Sequence, residues 1–214
     1  SKNRICSSYI GMGWYETVPP AVIVRNVFEN PVWYTSYTPY QAEVSQGRLA
    51  ALMHFQTMVS DLTGLPLANC SLLDEATSAA EAATMFFGAR SRQQVKDGAN
   101  KLFVDSNIFP QTLAVIQTRS NPQGIEVKVG DYKTFEFDNT YFGAILQYPN
   151  ADGNIEDYKA FTEKAHNASC KVAVATDLMS LTLLVPPGEC GADVAFGSPQ
   201  RFGTPMIYGG PSSA

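Results

Sequence analysis

Between Gly98 and Phe196 short apolar runs alternate with helical patterns, and this alternation restricts the available folds more than any other feature of the chain. Lys101 to Asp105 reads as a strand, Pro110 to Thr118 as a helix and Ile125 to Val129 as a second strand. Phe142 to Tyr148 is a third strand. The turn Asn150-Ala-Asp-Gly-Asn154 then leads into a helix from about Ile155 to Ala168, and Lys171 to Thr176 and Ala192 to Phe196 are two further strands. Strands separated by helices need crossover connections. The pattern predicts an α/β fold with a mostly parallel sheet, flanked by helices on both faces and joined by right-handed connections.

Ahead of this region, Leu49, Leu52, Phe55, Val59 and Leu62 fall on one helical stripe, so a helix is expected from Gln41 to about Thr63 with Gly64 as its stop. Ser71-Leu-Leu-Asp74 has the spacing of a capping box, and the Ala-rich run behind it is expected to be helical to about Arg92. Residues 1–40 differ. Pro19, Pro20, Pro31 and Pro39 interrupt them too often for long regular structure, yet their aromatic content is too high to be left in water. An extended arm that wraps a surface is expected, joined to a domain spanning 41–214.

The chain's 214 residues are enough to bury a core without covalent staples. Charged residues make up 16%, below the usual quarter, which points to a large contact face. A net charge of −5 gives no basic field for a nucleic-acid backbone. No apolar run is long enough to span a bilayer and the opening residues lack a secretory h-region, so neither a membrane nor a nucleic acid is expected as partner. Cys6, Cys70, Cys170 and Cys190 lie far apart without metal-binding or redox spacing, which suits reduced thiols, and no metal site is expected. The first residue is not Met, and the chain reads as a segment of a longer subunit.

Sites in open parallel sheets form beyond the carboxyl ends of strands, where Asp105, Pro149, Asn150, Asp177 and Ser198 stand. Asp177 follows the apolar run Val172 to Thr176. It suits either a cap for the segment Leu178 to Leu184 or a carboxylate that pairs with a protonated ring nitrogen. Gly11-Met-Gly13 lacks the third glycine of a dinucleotide fingerprint, Gly203 to Gly210 lacks the ending of a P-loop, and Gly197-Ser198 lacks the second glycine of a hydrolase elbow. A pyridoxal enzyme needs a lysine beyond the ring-pairing aspartate. The last lysine here is Lys171, before Asp177, so this segment is not expected to hold that cofactor covalently.

The run from Tyr9 to Ala82, which includes Trp33-Tyr-Thr-Ser-Tyr-Thr-Pro-Tyr40, together with the closing stretch Gly191 to Ala214, resembles the amino-terminal half of the glycine cleavage system P-protein family. The resemblance covers essentially the whole chain. It implies the large domain of a fold type I, aspartate aminotransferase-like, pyridoxal-phosphate-dependent transferase, partial here because the chain stops at Ala214. It implies decarboxylation of glycine with transfer of the aminomethyl group to the lipoyl arm of H-protein. The partners it implies are a carboxy-terminal half or beta subunit of the same enzyme, in a dimer or heterotetramer, in a bacterial cytoplasm or, for a eukaryotic source, the mitochondrial matrix.

In that family the Schiff-base lysine lies in the carboxy-terminal half, shortly before a Pro and a glycine-rich turn. Pro205 and Gly209-Gly210-Pro211 match that ending, which puts Gln200, followed by Arg201, at the lysine position. The resemblance therefore implies a duplicated half that lost its covalent anchor, with pyridoxal phosphate bound by the other half and Asp177 a vestige of the ring-pairing carboxylate. Such a half can still supply a wall of its partner's site. Tyr34, Thr35, Tyr37 and Tyr40 are the candidates for substrate-side contacts, although aromatics that pin a proline-rich arm to the core would look the same. Gln41, Glu43 and Arg48 resemble the family's pattern here, and a salt bridge on the helix surface explains the charged pair equally well.

Overall fold

The computed structural model describes residues 2–4, 6–7, 9, 11–34, 43–69, 71–206 and 214. Five strands form one parallel sheet: β1 (Lys101–Asp105), β2 (Glu126–Gly130), β3 (Tyr141–Tyr148), β4 (Lys171–Thr176) and β5 (Val194–Phe196), in the spatial order β2-β1-β3-β4-β5. All eight residues of β3 are buried, as expected of a central strand covered on both faces. Alternate side chains feed two cores. Leu102, Val104, Phe142, Ile145, Ala173 and Ala175 pack with Phe86 and Ile116, whereas Phe103, Leu146, Val172 and Val174 pack with Tyr158 and Phe161.

The residues explain where the elements begin and end. The first long helix runs Gln46–Thr63 and stops at Gly64, whose φ of +68° suits a residue without Cβ and whose N–H donates to Ser60 O. Gln41, the expected start, lies outside the described residues. The capping box expected at Ser71 is not there. Asp74 is the cap, its Oδ1 accepting the Thr77 N–H at 2.6 Å, and the helix is Glu75–Gly88. It does not continue to Arg92, because Ser91 and Gln94 form a capping box that starts a separate helix, Arg92–Lys96. On the first face the Glu75–Gly88 helix packs beside Pro110–Ser120.

The second face is covered by Lys159–Asn167, which starts later than the expected Ile155 because the Asp157 carboxylate accepts the Lys159 N–H and sets the first turn. The turn after β3 forms as expected. Buried Asn150 accepts the N–H groups of Asp152 and Asn154 on its Oδ1.

In the arm, short helical turns at Ala21–Ile23, Val24–Phe28 and Pro31–Tyr34 contain no buried residue. Arg48 reaches back to it, donating to the carbonyls of Val32 and Trp33. The arm thus has local helical turns within an otherwise irregular course, and much of its apolar surface faces solvent. No helix among the described residues is long and apolar enough to cross a membrane.

Candidate functional site

The carboxyl ends of β3 and β4 open into a cavity of about 510 Å³. Pro149 and Asn150 after β3, Asp177 after β4 and Ser198 after β5 all line it, so four of the five strand-end residues picked out from the sequence come together. Asp105 does not join them. It is fully buried at the end of β1, where burial pushes its carboxyl pKa up against the pull of nearby backbone amides of Tyr132 and Asn107.

Opposite the strand ends, the segment Gly11 to Tyr15 of the arm forms the other wall. Gly13, at φ +80°, turns the chain tightly, and a Cβ there would stand 2.9 Å from the Phe109 ring. Gly13 therefore serves a close approach of backbone to an aromatic ring, whereas a Cβ at Gly11 would meet open space. The segment is held from inside the cavity. Buried Gln200 accepts the Tyr15 N–H on Oε1 at 3.3 Å and donates from Nε2 to Tyr15 O and Thr204 O, both at 2.8 Å.

Asp177 accepts the Met179 N–H at 3.1 Å on Oδ1 and forms an ion pair with Arg201 through Oδ2. It closes a local turn ahead of the segment Leu178 to Leu184, which forms only the short 3-10 turn Ser180–Thr182 and not the helix it was expected to cap, and its charge is met by a neighbouring guanidinium. Arg201 also lies 4.9 Å from the centroid of the Tyr15 ring. Burial, followed by the charges of Asp177 and Glu75, pushes the Tyr15 phenol pKa up, and Arg201 pulls against them.

Glu75, Gln147 and Thr176 complete the polar wall, and sequence reasoning missed all three. Glu75 looks like one more helix-start acid beside Asp74, but burial and then Asp177 raise its pKa to about 7, against a stabilising contact from the Gln147 side chain. Gln147 did leave a signal, as the polar residue in the otherwise apolar run Phe142 to Tyr148. The Oε1 atoms of Glu75 and Gln147 and the Oγ1 atom of Thr176 are buried without a hydrogen-bond partner among the described residues.

Of the proposed substrate-side residues, Tyr34 is exposed on the arm and is not among the described residues lining this cavity. Thr35, Tyr37 and Tyr40 lie outside the described residues, as do Gly209, Gly210 and Pro211. No lysine is among the described residues that line the cavity.

The comparisons with known proteins agree with the architecture. A methionine gamma lyase from Micromonospora echinospora superposes with a TM-score of 0.55 over 70% of this chain and 39% of its own, at 17% identity, so the likeness is one of fold: the fold type I architecture of pyridoxal-phosphate-dependent enzymes. A crystal structure of glycine decarboxylase (P-protein) of the glycine cleavage system, in inhibitor-bound form, superposes with a TM-score of 0.84 over 96% of this chain and 47% of that one, at 33% identity. A glycine dehydrogenase (decarboxylating) of Bacteroides fragilis is 69% identical over 212 residues, 99% of this chain but 22% of its own length. The chain therefore spans about a fifth of such relatives. The family described as glycine cleavage system P-protein matches residues 1–214 from end to end, and the chain belongs to that family.

Proposed function

We propose that the chain is part of a pyridoxal-phosphate-dependent glycine decarboxylase, a glycine dehydrogenase (aminomethyl-transferring) that removes the carboxylate of glycine and passes the aminomethyl group to the lipoyl arm of H-protein. In this reading the segment belongs to a half that lacks the Schiff-base lysine and completes the site of a catalytic half. That half is carried on the same polypeptide or on a beta subunit, in a dimer or heterotetramer of a bacterial cytoplasm.

The observation that carries the reading is the use made of Gln200. An amide nitrogen whose hydrogens are given to the carbonyls of Tyr15 and Thr204 is no amine nucleophile. Covalently held pyridoxal phosphate does not fit the cavity for that reason, and Asp177 already balances Arg201. No step on the cofactor is assigned to this segment. Its own residues fix the surroundings: Gln200 holds Tyr15, Arg201 neutralises Asp177, and Gly11 to Tyr15 cover the strand ends.

A second reading, a structural half that stabilises the catalytic half and docks H-protein, is favoured by the apolar side chains the arm leaves exposed. Val18 is 95% exposed, Val32 72% and Phe28 55%, and such a surface suits burial against another part of the enzyme.

Exchange of the glycine carboxyl with bicarbonate tests the first reading. The full enzyme is expected to catalyse it and residues 1–214 with added pyridoxal phosphate are not; exchange by the segment alone would overturn the proposal. Replacing Tyr37 and Tyr40 with Phe in the full enzyme separates the readings. A lower rate in a normally assembled enzyme supports a site wall, and an unchanged rate supports scaffolding.

A further inference from the structure

We propose that the cavity between the arm and the strand ends binds a small organic ammonium ion, with Glu75 as its counter-charge and Gln147 and Thr176 as hydrogen-bond acceptors. The inference rests on this cavity alone and stands whether or not the chain serves glycine decarboxylation.

The charges favour a cation. Asp177 is neutralised by its ion pair with Arg201, which leaves Glu75 and the exposed Asp152 as the carboxylates in the lining without an ion pair among the described residues, and of these two Glu75 is the one withdrawn from solvent. An anion would meet the unpaired carboxylates of Glu75 and Asp152, and a neutral ligand would leave Glu75 uncompensated once ionised. The raised pKa of Glu75, near 7, agrees with a carboxylate that lacks its counter-ion.

The hydrogen-bonding groups agree with the charge. Gln147 and Thr176 are 2% and 3% exposed, and their side-chain oxygens, with Glu75 Oε1, are buried without partners. Native proteins seldom leave such groups unpaired. Three unpaired acceptors match the three N–H donors of a primary ammonium. Trp14, Tyr15 and Phe109 line the same space and offer aromatic surface of the kind that favours an organic cation over a hydrated metal ion. At about 510 Å³ the cavity lies within the range of small-ligand sites.

The test is equilibrium dialysis of radiolabelled methylammonium against the full-length protein at pH 8, comparing the native sequence with Glu75→Gln and with Thr176→Val. Amines can also condense with a carbonyl cofactor elsewhere in the enzyme, so the difference between native and variant proteins is what is read. The expected result is one site per chain that weakens by about tenfold or more in each variant, with unchanged binding at any other site. Should Glu75→Gln fail to fold, Thr176→Val, which keeps the side-chain shape, gives the same reading. Superimposable isotherms for native and variant proteins, or no binding at millimolar methylammonium, would overturn the proposal.

Discussion

The Gln200 side chain closes on both backbone groups of Tyr15, 185 residues earlier in the chain, taking its N–H and donating to its carbonyl. The arm is thereby fastened across the mouth of the cavity by one amide, and a third bond to Thr204 O fixes that amide in turn. Glutamine suits the task because its carbonyl and amino groups match a peptide unit's donor and acceptor.

Replacing Gln200 with Leu keeps approximate size and removes all three bonds. Tyr15 is half-exposed and regains some hydration, so the expected loss is about 1–3 kcal/mol. Limited proteolysis within residues 11–20 should accelerate and the melting temperature should fall. An arm as resistant as before would show that Gln200 does not hold it.

The sheet was largely legible in the sequence because β1, β3, β4 and β5 are built on apolar runs that end at a polar or turn residue, as in Val172 to Asp177. That periodicity is set by burial and survives without tertiary knowledge. For the same reason Pro149, Asn150, Asp177 and Ser198 could be brought to one cavity from sequence. Glu75 and Arg201 could not. Each becomes a site residue through long-range placement, Glu75 facing Asp177 from a different element, and no local spacing encodes such a meeting. Helix limits slipped where a side chain intervened: Asp74, Ser91 and Asp157 each took a backbone N–H and started a helix at a place that hydrophobic period does not mark.

The charge of Asp177 helps to hold the proton on Glu75. Asp177→Asn keeps an acceptor for the Met179 N–H but removes the charge that helps to raise the Glu75 pKa. The Glu75 pKa should therefore move down from about 7, which carboxyl-carbon NMR titration can follow. A pKa unmoved by this substitution would mean that burial alone sets it.

Stability should depend on pH through Glu75. Its folded pKa of about 7 lies above the ordinary glutamate value of 4.5, so the folded state binds the proton more tightly than the unfolded chain does. The contribution is most favourable below about 4.5, declines as pH rises to about 7, and reaches its full cost above that. The full cost is at most roughly 3 kcal/mol. Glu75→Gln should remove this dependence and raise the melting temperature at pH 8 relative to the native sequence. Parallel stability profiles for the two proteins from pH 5 to 8 would contradict this origin.

The joint between β4 and β5 is the most sterically exacting test of the architecture. Gly197 follows β5 directly, and a Cβ there would lie 1.9 Å from the Thr176 carbonyl oxygen, a backbone atom that cannot swing away as a flexible side chain could. Gly197→Ala must displace the end of β5, which costs on the order of 1–3 kcal/mol. The shift would also move Ser198, whose Oγ accepts the Gln200 N–H at 3.2 Å, and so loosen the clasp on Tyr15. Gly47→Ala is the control. Gly47 lies inside the Gln46–Thr63 helix with open space around its Cβ position, so alanine there should add about 0.5–1 kcal/mol through helix propensity. Opposite changes in melting temperature, with faster amide exchange at β5 and faster proteolysis of residues 11–20 only in Gly197→Ala, are the expected outcome. Equal behaviour of the two variants would mean that the approach of Gly197 to Thr176 does not hold the joint together.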